Sequence, residues 1–412
     1  MKILITTAGS YGDVAPYTGL GACLRAAGHD VTLAAHDTFA PLVRGSGLRF
    51  RALPGDPGRR RGPAAAVGRK ELMRTATAFV RELGAGLVDV AEEEAAEGGV
   101  DALVLSATTA PLGWQLAEAM DVPALGAYLQ PAHPTRAFAP VVSGARSLGG
   151  WGNRTAGRFS LRMVDRVYAD AVRDLRSRLD LPAATSAAVR ARRERAHWPV
   201  LYGFSAAVVA RPADWRPGLD VVGNWWPHQA PDARLPSAVE EFLADGPPPV
   251  FIGFGSMAAG EGERLGELAV AALRRAGLRG VLQSGRAGLW ATGDGVLTIG
   301  EVPHALLFPR LAAVVHHAGA GTTAAALRAG VPAVPVPVTA DQPFWAARLT
   351  AVGAAPGPVP FRRLTVDSLA DALTRAVRDP AYASAAQAVA RAMATEDAAG
   401  QTLKAVEGLA RG

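Results

Sequence analysis

Cysteine and lysine are nearly missing from this 412-residue sequence, and each scarcity closes off a class of protein. With Cys23 as the single cysteine, neither an internal disulfide nor a cysteine-rich metal centre can form, which suits a reducing cytoplasm, the expected location. Lysine occurs only as Lys2, Lys70 and Lys404, so arginine carries the net charge of +6. That imbalance reads as a compositional bias as much as a selected surface. Two arginine clusters, Arg59-Arg60-Arg61 and the run from Arg190 to Arg195, lack the interleaved stacking aromatics of a nucleic-acid module. They are read as solvated loop or helix surface, with no nucleic-acid partner and at most weak peripheral attraction to an anionic membrane. No apolar run approaches the roughly 20 residues that span a bilayer. The stretch from Met1 to Ala8 is too short for a secretory signal and reads as a buried strand. Nothing in the sequence sets an oligomeric state.

What is present is enough apolar material for large cores. Hydrophobic residues make up 49% and charged residues 19%, and the length suggests two domains of about 150–200 residues each. The first half alternates short apolar runs with helical patterns. Strands are expected at Ile3–Thr7, Val31–Ala35, Leu48–Leu53, Ala102–Ser106, Pro123–Tyr128 and Ala207–Ala210, with helices at Ala15–Ala27, Phe39–Arg44 and Leu161–Leu179. Strand–helix–strand at this spacing means a parallel sheet with right-handed crossovers. From Pro212 to Pro236 the texture turns to proline and tryptophan, the mark of an interdomain connection and hinge. The pattern then restarts, with strands expected at Val250–Gly253, Gly280–Ser284, Val296–Ile299, Ala313–His316 and Val331–Val338, the last broken by proline. Helices are expected at Arg264–Ala276, Thr322–Ala329, Val366–Arg378 and Ala381–Leu409. This divides the chain into an N-terminal domain over 1–212, a linker over 213–236 and a C-terminal domain over 237–412, whose last helix could return to the first domain.

The most informative stretch is Val314-Val-His-His-Ala-Gly-Ala-Gly-Thr-Thr323. A strand ends, small residues turn, and a helix opens with hydroxyls, so unpaired backbone N–H groups and the positive helix end face whatever lies beyond. That suits a diphosphate. The pattern is neither the lysine-bearing phosphate loop nor the glycine fingerprint of nicotinamide enzymes. Gly253-Phe-Gly-Ser256 ends the first strand of this half, where parallel sheets present ligands. Asp341-Gln342 offers a carboxylate and an amide for vicinal hydroxyls, though Asp341 could equally cap the following helix. His316 could serve the backbone while His317 faces the cleft, and Trp345 reads as packing that helix.

Five stretches together resemble the GT-B nucleotide-sugar transferases, and within them the bacterial enzymes related to sterol glucosyltransferases and glycopeptide or macrolide antibiotic transferases. They are Gly9-Ser-Tyr-Gly-Asp-Val-Ala-Pro16, Phe251-Ile-Gly-Phe-Gly-Ser-Met257, Leu307 to His317, Ala318-Gly-Ala-Gly-Thr-Thr323 and Asp341-Gln-Pro-Phe-Trp345, in family order over nearly the whole chain. The resemblance implies an α/β GT-B fold, two Rossmann-like domains facing across a cleft. It implies a metal-independent inverting transfer from a UDP- or dTDP-sugar to a hydroxyl of a small hydrophobic acceptor, with no resident cofactor. Ser256, His317, Gly319, Gly321 and Thr322 would hold the diphosphate, Val302 would lie by the base, and Asp341 and Gln342 would bind the sugar. The stretch Val336-Pro-Val-Thr-Ala340 departs from relatives that use glucose, which often carry aromatic and glycine residues there. A catalytically silent GT-B partner protein and a sugar-nucleotide epimerase are the competing readings.

Inverting transfer needs a group to take the acceptor proton on the side of the cleft opposite the diphosphate. Asp13, in the loop after the first strand, is placed for that, and an aspartate at this motif position is the proposed base in the similar antibiotic transferases. It could also simply cap the helix that follows. Tyr11, His36, His133 and Phe138 are the candidate acceptor contacts. The chain lacks an Asp-x-Asp motif or a clustered His/Asp set for a divalent ion, so helix end and side-chain donors would meet the diphosphate charge.

Overall fold

The computed structural model describes residues 1–56, 69–255, 260–285, 288–291 and 293–409. Two parallel sheets account for the strands. In the first lobe these are β1 (Lys2–Thr6), β2 (Asp30–His36), β3 (Arg49–Leu53), β4 (Ala102–Leu105), β5 (Ala124–Tyr128), β6 (Val200–Tyr202) and β7 (Leu219–Val221), in the order β3-β2-β1-β4-β5-β6-β7. The second lobe has β8 (Val250–Gly253), β9 (Gly280–Gln283), β10 (Val296–Ile299), β11 (Ala313–His316) and β12 (Ala333–Pro335), in the order β10-β9-β8-β11-β12.

The central strands β1, β4, β5, β8 and β11 are buried on both faces because helices cover both sides of their sheets. Ile3 and Ile5 of β1 join Val14, Leu20 and Leu24 of the helix Tyr11–Ala26, while Leu4 between them points to Leu83, Leu87 and Leu103. In β8, Val250 and Ile252 pack on Leu265, Leu273 and Leu369, and Phe251 packs on Phe308 at a ring distance of 5.1 Å. Full burial of each such side chain contributes about 1.5–3 kcal/mol.

Strand order reverses beside β1 and β4 in one sheet and beside β8 and β11 in the other. At these switch points the connections leave in opposite directions and open a crevice at the carboxyl ends of the strands. The loops after β1 and β11 therefore bound the ligand edges of the two sheets.

Four of the sequence readings change here. Ala207–Ala210 is turn rather than strand, because the chain pairs through Val200–Tyr202 before it and Leu219–Val221 after it. β7 lies inside the segment read as the connection, so 219–221 belongs to the first sheet. The first helix opens at Tyr11, not Ala15, which brings Asp13 into its first turn. The tail beyond Pro380 divides into two helices, Pro380–Met393 and Ala398–Leu409. The second of these packs on Tyr11–Ala26, with Ala398 and Val406 in the same core as Val14 and Leu24. No helix among the described residues is long and apolar enough to cross a membrane.

Candidate active site

The loop after β1 is held from below. Gly9 donates its N–H to His36 Nε2 at 3.2 Å, and His36 Nδ1 lies 3.2 Å from the Leu53 carbonyl. His36 is fully buried with both ring nitrogens turned to backbone, so it shapes the loop and is not among the residues that line the cavity beside Asp13. Ser10 donates both its N–H (2.7 Å) and its hydroxyl (2.8 Å) to Asp13 Oδ2, and the Thr7 hydroxyl donates to the Asp13 carbonyl at 2.7 Å. Asp13 is thus the third residue of a capping box, and it also lines a cavity. Gly9 has φ +144°, and a Cβ there would lie 2.4 Å from Asp13 Oδ2. Only glycine leaves room for the carboxylate in this position.

The helix Ala320–Arg328 follows β11, with Gly319 at its N-cap and no side-chain cap. The first helical bond runs from Thr323 N–H to the Gly319 carbonyl, so the amides of Ala320, Gly321 and Thr322 precede it and face outward. Ala318 takes φ +60°, and its N–H donates to His316 Nδ1 at 3.1 Å. His316 is therefore the backbone-bound histidine of the pair. The His317 ring packs between two glycines. A Cβ on Gly319 would lie 2.6 Å from His317 Nε2, and one on Gly255 would lie 3.1 Å from its Cε1. Burial pushes His317 down to about 4, so the ring is neutral at neutral pH, and its Nδ1 and the Thr323 hydroxyl are buried without partners among the described residues. Val302 packs half-buried beside Leu306 and Leu307. Ser256 and the cluster Arg59-Arg60-Arg61 lie outside the described residues.

Asp341 occupies the N-cap position of the helix Gln342–Ala351, yet its side chain makes no cap bond. Its Oδ2 accepts from Trp345 Nε1 at 2.9 Å and from Gln130 Nε2, in the loop after β5 of the other lobe, at 2.8 Å. Burial raises the Asp341 carboxyl, and the Asp13 carboxylate across the cleft raises it further. The two aspartates are near enough to feel each other's charge. Gln342 is 4% exposed and spends its carbonyl on the turn, accepting from Val338 N–H (2.7 Å) and Thr339 N–H (3.0 Å). Its NH2 group is left for other partners. Trp345 is buried against Phe204 of the first lobe.

Beside Asp13 a cavity of about 380 Å³ opens within the first lobe. His133 and Phe138 line it. The Phe138 ring meets Phe344 edge-on at 5.4 Å and lies under the Arg348 guanidinium at 5.3 Å, both from the second lobe. His133 bonds the Tyr202 hydroxyl through Nδ1 and lies 3.1 Å from Glu194 Oε1 through Nε2. Burial holds His133 below the ordinary histidine range against the pull of Glu194. Tyr11, by contrast, is 53% exposed and lies outside the cavity. Sequence reasoning missed Gln130 as a site residue, although its place at the carboxyl end of a parallel strand was a usable signal.

Two facing parallel sheets with ligand edges on one cleft are the GT-B architecture. The solved structure of the glycosyltransferase VinC in complex with dTDP superposes with a TM-score of 0.71 at 22% identity, covering 100% of both chains. Residues 3–91 match the glycosyltransferase family 28 N-terminal domain, and 281–409 match the erythromycin biosynthesis protein CIII-like C-terminal domain. The O-mycaminosyltylonolide 6-deoxyallosyltransferase of Streptomyces fradiae is 40% identical over 96% of this chain and 94% of its own. A sterol 3-beta-glucosyltransferase of Arabidopsis thaliana is 32% identical over 98% of this chain and 65% of its own. The chain belongs to the glycosyltransferase family that contains these macrolide and sterol enzymes.

Proposed function

We propose that the protein transfers a sugar, with inversion and without a metal ion, from a dTDP- or UDP-sugar to a hydroxyl of a small hydrophobic acceptor such as a polyketide or sterol. The acceptor lies in the cavity beside Asp13, and the donor diphosphate lies at the mouth of Ala320–Arg328. The single observation that carries this reading is the hydrogen bond from Gln130, which lines the cavity together with Asp13, to Asp341 of the second lobe.

In this reading Asp13 takes the acceptor proton while the acceptor oxygen forms its bond to the anomeric carbon. The bond from that carbon to the diphosphate oxygen breaks on the opposite face. The departing charge falls on the amides of Ala320, Gly321 and Thr322 and on the positive helix end. His317 Nδ1 and the Thr323 hydroxyl, both buried and unpaired, gain partners when an anion arrives. Asp341 and the NH2 group of Gln342 hold sugar hydroxyls. VinC was solved with dTDP, which supports a thymidine carrier alongside uridine.

Asp13→Asn tests the assignment. Transfer should fall by at least about a hundredfold, while thermal shifts with dTDP or UDP survive. Near-normal turnover by this variant removes Asp13 from the mechanism, and loss of activity on chelation removes the metal-free reading.

A further inference from the structure

The arginine run from Arg190 to Arg195, read from the sequence as solvated surface, lies on the helix Ser186–Arg195. One face of that helix forms a wall of the cavity. Ser186, Val189, Arg190, Arg193 and Glu194 all line it, at the three-to-four-residue spacing of a single helical stripe.

The charges on this wall are unequally satisfied. Arg190 is paired with Asp165, its Nε at 3.0 and 3.1 Å from the two carboxylate oxygens and its Nη2 at 2.8 Å. Glu194 uses both oxygens, one toward His133 at 3.1 Å and one accepting from Arg216 Nε at 2.9 Å. Arg193 forms no ion pair among the described residues. Its Nη1 donates to the Ala110 carbonyl at 3.1 Å, and its guanidinium lies over the Trp198 ring at 4.7 Å and the Trp114 ring at 5.7 Å. Among the described residues its Nε is buried without a partner, and so is the hydroxyl of Ser186, a residue only 8% exposed. Native proteins seldom leave buried donors unmet, and here the two belong to residues of one wall of an otherwise largely apolar cavity, where Arg193 also bonds Tyr128.

We propose that Ser186 and Arg193 form a second recognition point in the acceptor cavity, which takes a hydrogen-bond-accepting oxygen of the acceptor, a carbonyl or carboxylate separate from the hydroxyl that is glycosylated. The inference rests on the transferase reading. The wall's carboxylates are already matched by Arg190, Arg216 and His133, so its uncompensated charge is positive and selects an oxygen over an amine.

Three matched probes test it: a 3-hydroxysteroid with an unsubstituted ring D, its 17-ketone and its 17-carboxylic acid. Their dissociation constants are read by quenching of tryptophan fluorescence, since Trp114 and Trp198 lie against Arg193. The wild type should bind the ketone or the acid about tenfold tighter than the parent, and the stronger of the two names the oxygen class. Arg193→Met and Ser186→Ala should each shrink that preference, with a normal thermal shift by nucleoside diphosphate showing the variant folded. Equal binding of all three by the wild type, or a preference that survives both substitutions, overturns the proposal. Binding of none also overturns it, while sugar-nucleotide cleavage by the same preparation separately decides the transferase reading.

Discussion

Gln130 Nε2 lies 2.8 Å from Asp341 Oδ2, and this one hydrogen bond joins the loop lining the cavity to the turn that opens Gln342–Ala351. Trp345 Nε1 holds the same oxygen from within the second lobe. Two donors from different lobes fix the plane of a half-buried carboxylate.

Gln130→Leu removes the donor from the first lobe. A hydrogen bond to a charged group contributes about 1.5–3 kcal/mol, so KM for the sugar nucleotide should rise at least about tenfold. Binding of nucleoside diphosphate alone should change little, because the proposed nucleotide contacts lie elsewhere. Steady-state kinetics with isothermal titration of the diphosphate separates the two, and an unchanged KM would show the bond to be incidental.

Gly9→Ala places a methyl group where the Asp13 carboxylate now sits, 2.4 Å from Oδ2 and 2.7 Å from Cγ. The carboxylate must swing away from the cavity. A displacement on this scale costs about a hundredfold in rate, so kcat should fall by that order. The φ of +144° adds strain of about 1–3 kcal/mol, visible as a lower melting temperature. Normal kcat in a melted-down but folded variant would mean that the position of Asp13 does not set the rate.

Three buried histidines make stability fall in acid. Burial holds His304 at about 4, His316 at about 3 and His317 at about 4, with neighbouring histidines adding to the shift of His316. The unfolded chain binds these protons near pH 6.5 and the folded chain only below about 4, so between those values the unfolded state holds more protons. Stability is full above the unfolded value and declines as pH drops through the window, by up to about 1.4 kcal/mol per pH unit for each group. His304→Phe keeps the stack on Phe308, whose ring lies 4.2 Å away, and should make the decline in melting temperature shallower. An identical slope would assign acid sensitivity to other groups.

The sheets were legible because parallel strands buried on both faces appear as short continuous apolar runs, as in Val250–Gly253 and Ala313–His316. The glycine turn at Gly319 was legible only together with its surroundings, since small residues and hydroxyls alone also suit an ordinary capped turn. Ala207–Ala210 misled because apolarity marks burial without marking pairing, and Val200–Tyr202 holds the sheet position instead. His36 was read as a contact because it ends a strand. Its ring turns under Gly9, and nothing local in the sequence reports on that direction. The wall formed by Ser186 and Arg193 was hidden for a similar reason. An arginine-rich helix looks like surface until tertiary packing decides which stripe faces inward.

The helix Ala398–Leu409 rests on Tyr11–Ala26, and its Thr402 hydroxyl accepts from Trp225 Nε1 at 3.0 Å. The chain therefore closes its own N-terminal half with its tail. A chimera that trades halves by cutting between the sheets carries away a piece of the partner it leaves behind. Exchanging donor preference between such enzymes requires two splice points, one after β7 and one ahead of Ala398, so that the returning segment travels with the half it covers.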